Sequence, residues 1–283
     1  MLLSHLKIQF IDRLKEDYPV TEIESFFNIL TEEYLGMTRL EAALNTDFEV
    51  SEEQKAWFEH AELRLKDHEP IQHIIGKEEF SGLIFRVNKE VLIPRPETEE
   101  LVEWIVLDFK NAGKPIRILD IGTGSGCIAI SLGKKLKGSE VHAFDISAEA
   151  LKLAKDNAKE NHVEVNFQER DILKTEKLDW KFDIIVSNPP YVRELEKKEM
   201  HRNVLDHEPE KALYVKDEDP LLFYQKIASL AKDALEPQGC LYFEINQYLS
   251  TETEELLKNS GFETELKKDI FGNFRMLKAS LNR

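Results

Sequence analysis

Residues 116–126, Ile-Arg-Ile-Leu-Asp-Ile-Gly-Thr-Gly-Ser-Gly, run from an apolar stretch into three glycines at alternate positions. The apolar part, 116–121, has the length and composition of a buried strand. The glycines predict a tight turn, and a helix reaching about residue 137 follows it. A strand, a glycine turn and a helix in that order open a sheet with helices on both faces. The residues downstream keep the same rhythm. Strands are expected over 141–145, 163–168, 182–187 and 240–245. Helices are expected over 148–161, capped by Ser147, over 220–235, and over 251–259, ended by Gly261. Segments 262–268 and 274–279 have no helix between them and read as an antiparallel pair. The expected fold is α/β, with a seven-stranded, mostly parallel sheet that finishes in an antiparallel hairpin.

The turn itself says what it could hold. Its glycines are Gly122, Gly124 and Gly126, whereas a dinucleotide fingerprint would need its third glycine at the position of Cys127. That offset favours S-adenosylmethionine over a dinucleotide. Glycines also let the backbone N–H groups of Gly122, Thr123, Gly124, Ser125 and Gly126 come close to a ligand. Asp145 ends the second strand, where a carboxylate can accept from both ribose hydroxyls and repel a 2′-phosphate. Asp171 and Ile172 follow the third strand, where an adenine would arrive. Asp171 has a second reading as the cap of the next turn.

The fourth strand runs into Ser187-Asn188-Pro189-Pro190-Tyr191. Two prolines supply carbonyl oxygens and no N–H, Asn188 adds a side-chain acceptor, and Tyr191 adds a flat ring. A stiff, acceptor-rich loop of this kind suits a planar NH2 group, either a carboxamide or the amine of a base. The plainer reading is a proline-rich turn closing a strand.

Composition narrows the classes. The 283 residues are 42% hydrophobic and 33% charged, with a formal net charge of −16. Such an acidic chain is not expected to keep a stable nucleic-acid partner, because phosphate contacts need clustered Lys and Arg. Cys127 and Cys240 have no metal-ligand spacing, so no metal is expected and a reducing cytoplasm is the default. No apolar run has membrane-spanning length, and residues 1–18 read as an amphipathic helix and not as a signal peptide. Residues up to about 68 read as helices. Thr21 and Glu24 suggest a capping box, Ser51 opens a third helix, and Ala56, Trp57, Ala61 and Leu65 form its apolar face. Residues 69–76 break the helical pattern, and 80–87 read as a hairpin around Ser81-Gly82. The expected division is a helical domain, 1–75, and a hairpin-led α/β domain, 76–283, in a monomer.

Three stretches together carry a family resemblance: Asp-Ile-Gly-Thr-Gly-Ser-Gly at 120–126, Asn-Pro-Pro-Tyr at 188–191 and Ile-Pro-Arg-Pro-Glu-Thr-Glu at 93–99. With Pro-Ile-Gln-His-Ile-Ile-Gly at 70–76, the chain resembles the peptide chain release factor glutamine methyltransferases, the PrmC/HemK family, within the class I methyltransferases. The resemblance implies a Rossmann-like methyltransferase sheet behind a substrate-docking helical domain. It implies methyl transfer from S-adenosylmethionine, leaving S-adenosylhomocysteine, to the glutamine side-chain nitrogen in the Gly-Gly-Gln motif of class I release factors, the proteins of translation termination. Carried over by position, Gly122 to Gly126, Asp145 and Asn188 would meet the cofactor, and Asn188, Pro189, Pro190 and Tyr191 the glutamine. His207, Ile172 and Asn246 stand where the family often has Phe, an aromatic residue and Gly. A nucleic-acid amino-methyltransferase, acting on adenine N6 or guanine N2, is the alternative, since Asn-Pro-Pro-Tyr occurs there too.

Overall fold

The computed structural model describes residues 1–200 and 202–281. The chain forms two compact units. One comprises Met1–Gly76 with a short later helix, Arg202–His207. The other holds the remainder.

The first unit is helical: α1 (Leu3–Leu14), α2 (Val20–Leu35), α3 (Arg39–Leu44), α4 (Glu52–Lys66) and α5 (Ile71–Ile75). Apolar residues at helical spacing converge on Phe10, Phe27 and Phe58, whose rings meet edge-on or tilted at centroid distances of 5.4–6.4 Å. Three expectations need correction. The buried face of α4 is Phe58, Ala61, Glu62 and Leu65, while Ala56 and Trp57 are exposed (Trp57 40%), because the face centres on Phe58 and Leu65 and leaves Trp57 at its edge and Ala56 outside it. α2 starts at Val20 with Pro19 as its N-cap, so Thr21 lies inside it. The capping boxes are at Thr38/Glu41 and Ser51/Gln54. Residues 71–75 do not leave the helical state: Pro70 and left-handed Gly76 bracket one further turn. Arg64 holds that turn by donating to Glu69 and to the carbonyls of His73 and Ile74.

The second unit opens with the antiparallel hairpin β1 (Lys77–Phe80) and β2 (Leu83–Arg86). Next come α6 (Pro96–Phe109), β3 (Arg117–Ile121), α7 (Cys127–Lys135), β4 (Glu140–Asp145), α8 (Ala148–Glu160), β5 (Asn166–Glu169) and β6 (Phe182–Ser187). After these come two-residue β7 (Val192–Arg193), α9 (the Arg202–His207 helix, in the first unit), α10 (Glu210–Leu213) and two-residue β8 (Tyr214–Val215). The chain ends with α11 (Leu222–Ala234), β9 (Leu235–Glu244), α12 (Ser250–Asn259), β10 (Phe262–Lys268) and β11 (Phe274–Leu281).

The seven-stranded sheet has the order β10-β11-β9-β6-β3-β4-β5. It is parallel except where β11 meets β9 and β10. The chain leaves β3 towards β4 and β5 and then returns to β3's other side as β6. The crevice for a ligand therefore lies beyond the carboxyl ends of β3, β4 and β6. Period-two alternation divides the strand residues between two cores. Ile118, Ile184, Val186 and Tyr242 face α6 and α7, and Leu119, Ile185, Leu241 and Phe243 face α11 and α12. The third strand starts three residues later than expected, at Asn166. Among the described residues no helix is long and apolar enough to cross a membrane.

Buried Asn157 of α8 ties the hairpin to the glycine turn. Its Oδ1 accepts from the Arg86 N–H at 2.8 Å, and its Nδ2 donates to the carbonyls of Arg86 (3.1 Å) and Ser125 (2.8 Å). Asn157→Ala strands three backbone groups and is expected to cost about 2–4 kcal/mol in urea unfolding. A loss below about 0.5 kcal/mol would show that these bonds are dispensable.

Candidate active site

The site is assembled from the carboxyl ends of five strands, β3, β4, β5, β6 and β9. Asp120 on β3 points to the α7 side and is fully buried. Its Oδ2 accepts from the Thr123 hydroxyl at 2.6 Å and the Ala129 N–H at 3.2 Å, which pins both the turn and the first turn of α7. Gly122, Gly124 and Gly126 all have positive φ, a region where a side chain would be strained. At Gly126 an added Cβ would also meet Ile130 Cδ1 at 2.8 Å, whereas at Gly122 and Gly124 it would stand in open space.

The sequence reading offered this turn's N–H groups to a ligand, and for four of the five the structure differs. The Gly122 and Thr123 N–H groups donate to the Phe144 carbonyl, Gly124 donates to Asp145 Oδ2, and Gly126 donates to the Thr123 carbonyl. Thr123's hydroxyl is likewise spent on Asp120. A turn whose donors face inward is a poor cradle for a pyrophosphate, which needs free N–H groups. It suits a ligand that is cationic and only needs the backbone to come close.

Asp145 ends β4 with Oδ1 accepting from the Ser147 N–H at 2.9 Å and Oδ2 from Gly124. Burial raises its carboxyl above the usual carboxylate range, and these backbone N–H groups oppose the rise. Each oxygen keeps a lone pair for a ribose hydroxyl. Asp171 follows β5. Its Oδ1 accepts from the Leu173 N–H at 3.0 Å and its Oδ2 pairs with Lys174, so it does cap the following turn. Ile172 is buried in the core cluster that also holds Leu119, Ile121 and Phe144.

β6, buried along its whole length, delivers Asn188. Its last residue, Ser187, donates to the Ile121 carbonyl at 2.6 Å and so joins the end of β6 to the glycine turn. Asn188 is half-buried and donates through Nδ2 to the Thr98 hydroxyl at 3.4 Å. Among the described residues nothing donates to its Oδ1. Pro189 is buried; Pro190 and Tyr191 are half-buried. The Tyr191 hydroxyl donates to Glu244 Oε1 at 2.9 Å, and the Tyr191 carbonyl accepts from Asn246 Nδ2 at 2.9 Å.

The sequence gives no role to Thr98, Glu244 or Asn246, although Asn246 stands out there as a departure from the family pattern. Thr98 lies in a stretch that carries the family resemblance, yet nothing local gives it a role. Glu244 has a usable signal, an acid inside the apolar run of a buried strand. Its oxygens accept from Tyr191 and, at 2.6 Å, from Thr98; burial raises its carboxyl, while the two hydroxyls and Arg275 lower it. Asn246 locks the Tyr191 loop through its carbonyl and Glu196. Arg95 pairs with buried Glu208. Among the described residues no cluster could hold a metal ion.

Burial pushes the Asp120 carboxyl up to about 7, against the pull of Thr123 and Ala129. An acid whose pKa rises on folding stabilises the folded chain below its unfolded value and loses that contribution as pH climbs through the folded value. The contribution is full below about pH 4 and lost above about 7. Melting temperature is therefore expected to fall more steeply between about pH 4 and about pH 7 in the wild type than in Asp120→Asn. Parallel curves would show that Asp120 does not titrate there.

Two family models match: the PrmC N-terminal domain over residues 6–76 and the methyltransferase small domain over 102–218. The chain is 52% identical to the release factor glutamine methyltransferase of Flavobacterium psychrophilum, with 99% of each chain covered. It is 45% identical to that of Bacteroides thetaiotaomicron, over 94% of this chain and 96% of the relative. A methyltransferase structure from Pyrococcus furiosus shares the fold with a TM-score of 0.51 at 19% identity, covering 71% of this chain and 90% of that one. An α/β methyltransferase sheet and relatives this similar along almost the whole length make the chain a member of the release factor glutamine methyltransferase family.

Proposed function

We propose that this chain methylates the glutamine side-chain nitrogen in the Gly-Gly-Gln motif of class I release factors, using S-adenosylmethionine and releasing S-adenosylhomocysteine. The observation that carries the reading is Asn188, whose amide is turned so that Nδ2 meets Thr98 and Oδ1 is left to accept. S-adenosylmethionine, when bound, supplies a methyl group on a positively charged sulfur. The inward-facing donors of the glycine turn, the open space over Gly122 and Gly124, and the spare lone pairs of Asp145 suit that cationic, ribose-bearing molecule. Gly122, Thr123, Gly124, Ser125, Gly126, Asp145 and Asn188 would hold it, with Asp171 and Ile172 at the adenine end.

The chemical difficulty is the nucleophile, an amide nitrogen whose lone pair is delocalised into its carbonyl. Asn188 Oδ1 and the Pro189 carbonyl accept its two N–H bonds and turn the nitrogen's π face to the incoming carbon. Tyr191 lies against the amide plane. Such orientation supplies on the order of 7–11 kcal/mol in favourable cases. As the N–C bond forms, the nitrogen gives up one proton, which passes by way of these acceptors to water, so no strong base is required. The helical unit, which exposes Leu40, Leu44 and Leu63, would dock the rest of the release factor. The enzyme would work in the cytoplasm as a monomer.

Labelled methyl transfer to a purified release factor tests the reading, with the Gln→Ala variant of its Gly-Gly-Gln motif and a nucleic-acid substrate as controls. Label entering the Gln→Ala variant equally well, or entering only nucleic acid, would refute it. Asn188→Ala is expected to lower single-turnover rates by at least about 100-fold at saturating substrate. Tyr191→Phe keeps the ring, so turnover should survive. The hydroxyl lost to Glu244 should still cost about 1–3 kcal/mol of stability.

A further inference from the structure

The geometry points to Glu244 as a positioning residue for methyl transfer: by taking the hydrogen of the Thr98 hydroxyl, it dictates which end of the Asn188 amide faces the substrate. The inference rests on the acceptor role proposed for Asn188. Nothing in the shape of an asparagine fixes that role. Its oxygen and nitrogen are nearly the same size, and a half-turn about the last bond exchanges an acceptor for a donor. In the wrong orientation Nδ2 would face the N–H groups of the glutamine amide, donor against donor.

The partner of Asn188 cannot decide the matter alone, because a threonine hydroxyl donates one hydrogen and accepts as well. Left free, Thr98 could give its hydrogen to Asn188 Oδ1 and hold the amide the wrong way round. Glu244 removes that freedom. Its side chain is almost completely buried (2% exposed) at the end of β9, and each of its two oxygens accepts from a hydroxyl group. Thr98 gives its hydrogen to Glu244 Oε2 at 2.6 Å and is left able only to accept, which it does from Asn188 Nδ2 at 3.4 Å. The second oxygen, Oε1, is occupied by the Tyr191 hydroxyl at 2.9 Å. The charges that bear on Glu244 are Arg275, on the neighbouring strand, and Glu97, next to Thr98. A single acid thus sets the polarity of a chain running Glu244–Thr98–Asn188 and also holds the Tyr191 ring.

Leucine at this position removes the acceptor. It fills much the same space and accepts nothing, so Thr98 keeps its hydrogen and can give it to Asn188 Oδ1. The test uses the full chain, a purified release factor and labelled S-adenosylmethionine, with kcat expressed per folded molecule. Glu244→Leu is expected to lower kcat on the order of 10–100-fold while KM and cofactor affinity stay within about threefold. Thr98→Ser, which keeps the hydroxyl, should stay within about threefold of wild type, and Thr98→Val should fall as Glu244→Leu does. The double variant Glu244→Leu/Thr98→Val should lose no more than the worse single one, because both break the same relay. If Glu244→Leu does not fold, the Thr98→Ser and Thr98→Val pair decides. Wild-type kcat in folded Glu244→Leu or Thr98→Val, or additive losses in the double variant, would overturn the inference while Asn188→Ala stays inactive. Full activity in Asn188→Ala would instead bring down the acceptor role itself.

Discussion

A carboxylate shut away from water must collect hydrogen-bond donors, and in this protein two buried acids and one half-buried acid do so at one end of the sheet. Asp120, at the end of β3, draws in the Thr123 hydroxyl and the Ala129 N–H. Asp145, at the end of β4, draws in the N–H groups of Gly124 and Ser147. Glu244, at the end of β9, draws in the hydroxyls of Thr98 and Tyr191. Most of these donors belong to the loops and helix starts that form the candidate site. The acids below them therefore act as anchors, and the loops take the shape that satisfies the anchors.

This arrangement accounts for the character of the glycine turn. With most of its N–H groups consumed from below, it presents little positive potential upward, unlike the turns that bind pyrophosphate. The same logic runs through the second half of the site. Asn188 and Tyr191 are held from behind, by Thr98, Glu244 and Asn246, and what they leave facing outward is an oxygen acceptor and an aromatic face. A site whose polar side chains are braced by a further layer of hydrogen bonds can hold a substrate amide in one orientation without reorganising.

Topology decides where these anchors meet. β6 is buried along its length and lies next to β3, so the loop bearing Asn188 stands beside the glycine turn, with the Ser187 hydroxyl on the Ile121 carbonyl joining them. Alternation along the strands sends Asp120 to the face covered by α7, and Glu244 meets Thr98 of α6.

Much of this is legible in the residues themselves. Glycines at 122, 124 and 126, an acid at a strand end, and alternating apolar runs are local patterns. Local sterics and period-two burial turn them into a turn, a sheet and a rim with little help from elsewhere. The strand 182–187 and the final hairpin follow from such patterns alone. Short-range patterns mislead where neighbouring turns compete, as at Trp57 against Phe58, or at Thr21, where Pro19 starts the helix earlier. What only the tertiary structure decided is which polar groups are partners. Thr98 and Glu244 are 146 residues apart and Thr98 and Asn188 are 90 apart; no periodicity spans such distances. Their pairing follows from the order in which the strands lie and from the need of a buried carboxylate for donors, and neither can be read from the residues one at a time.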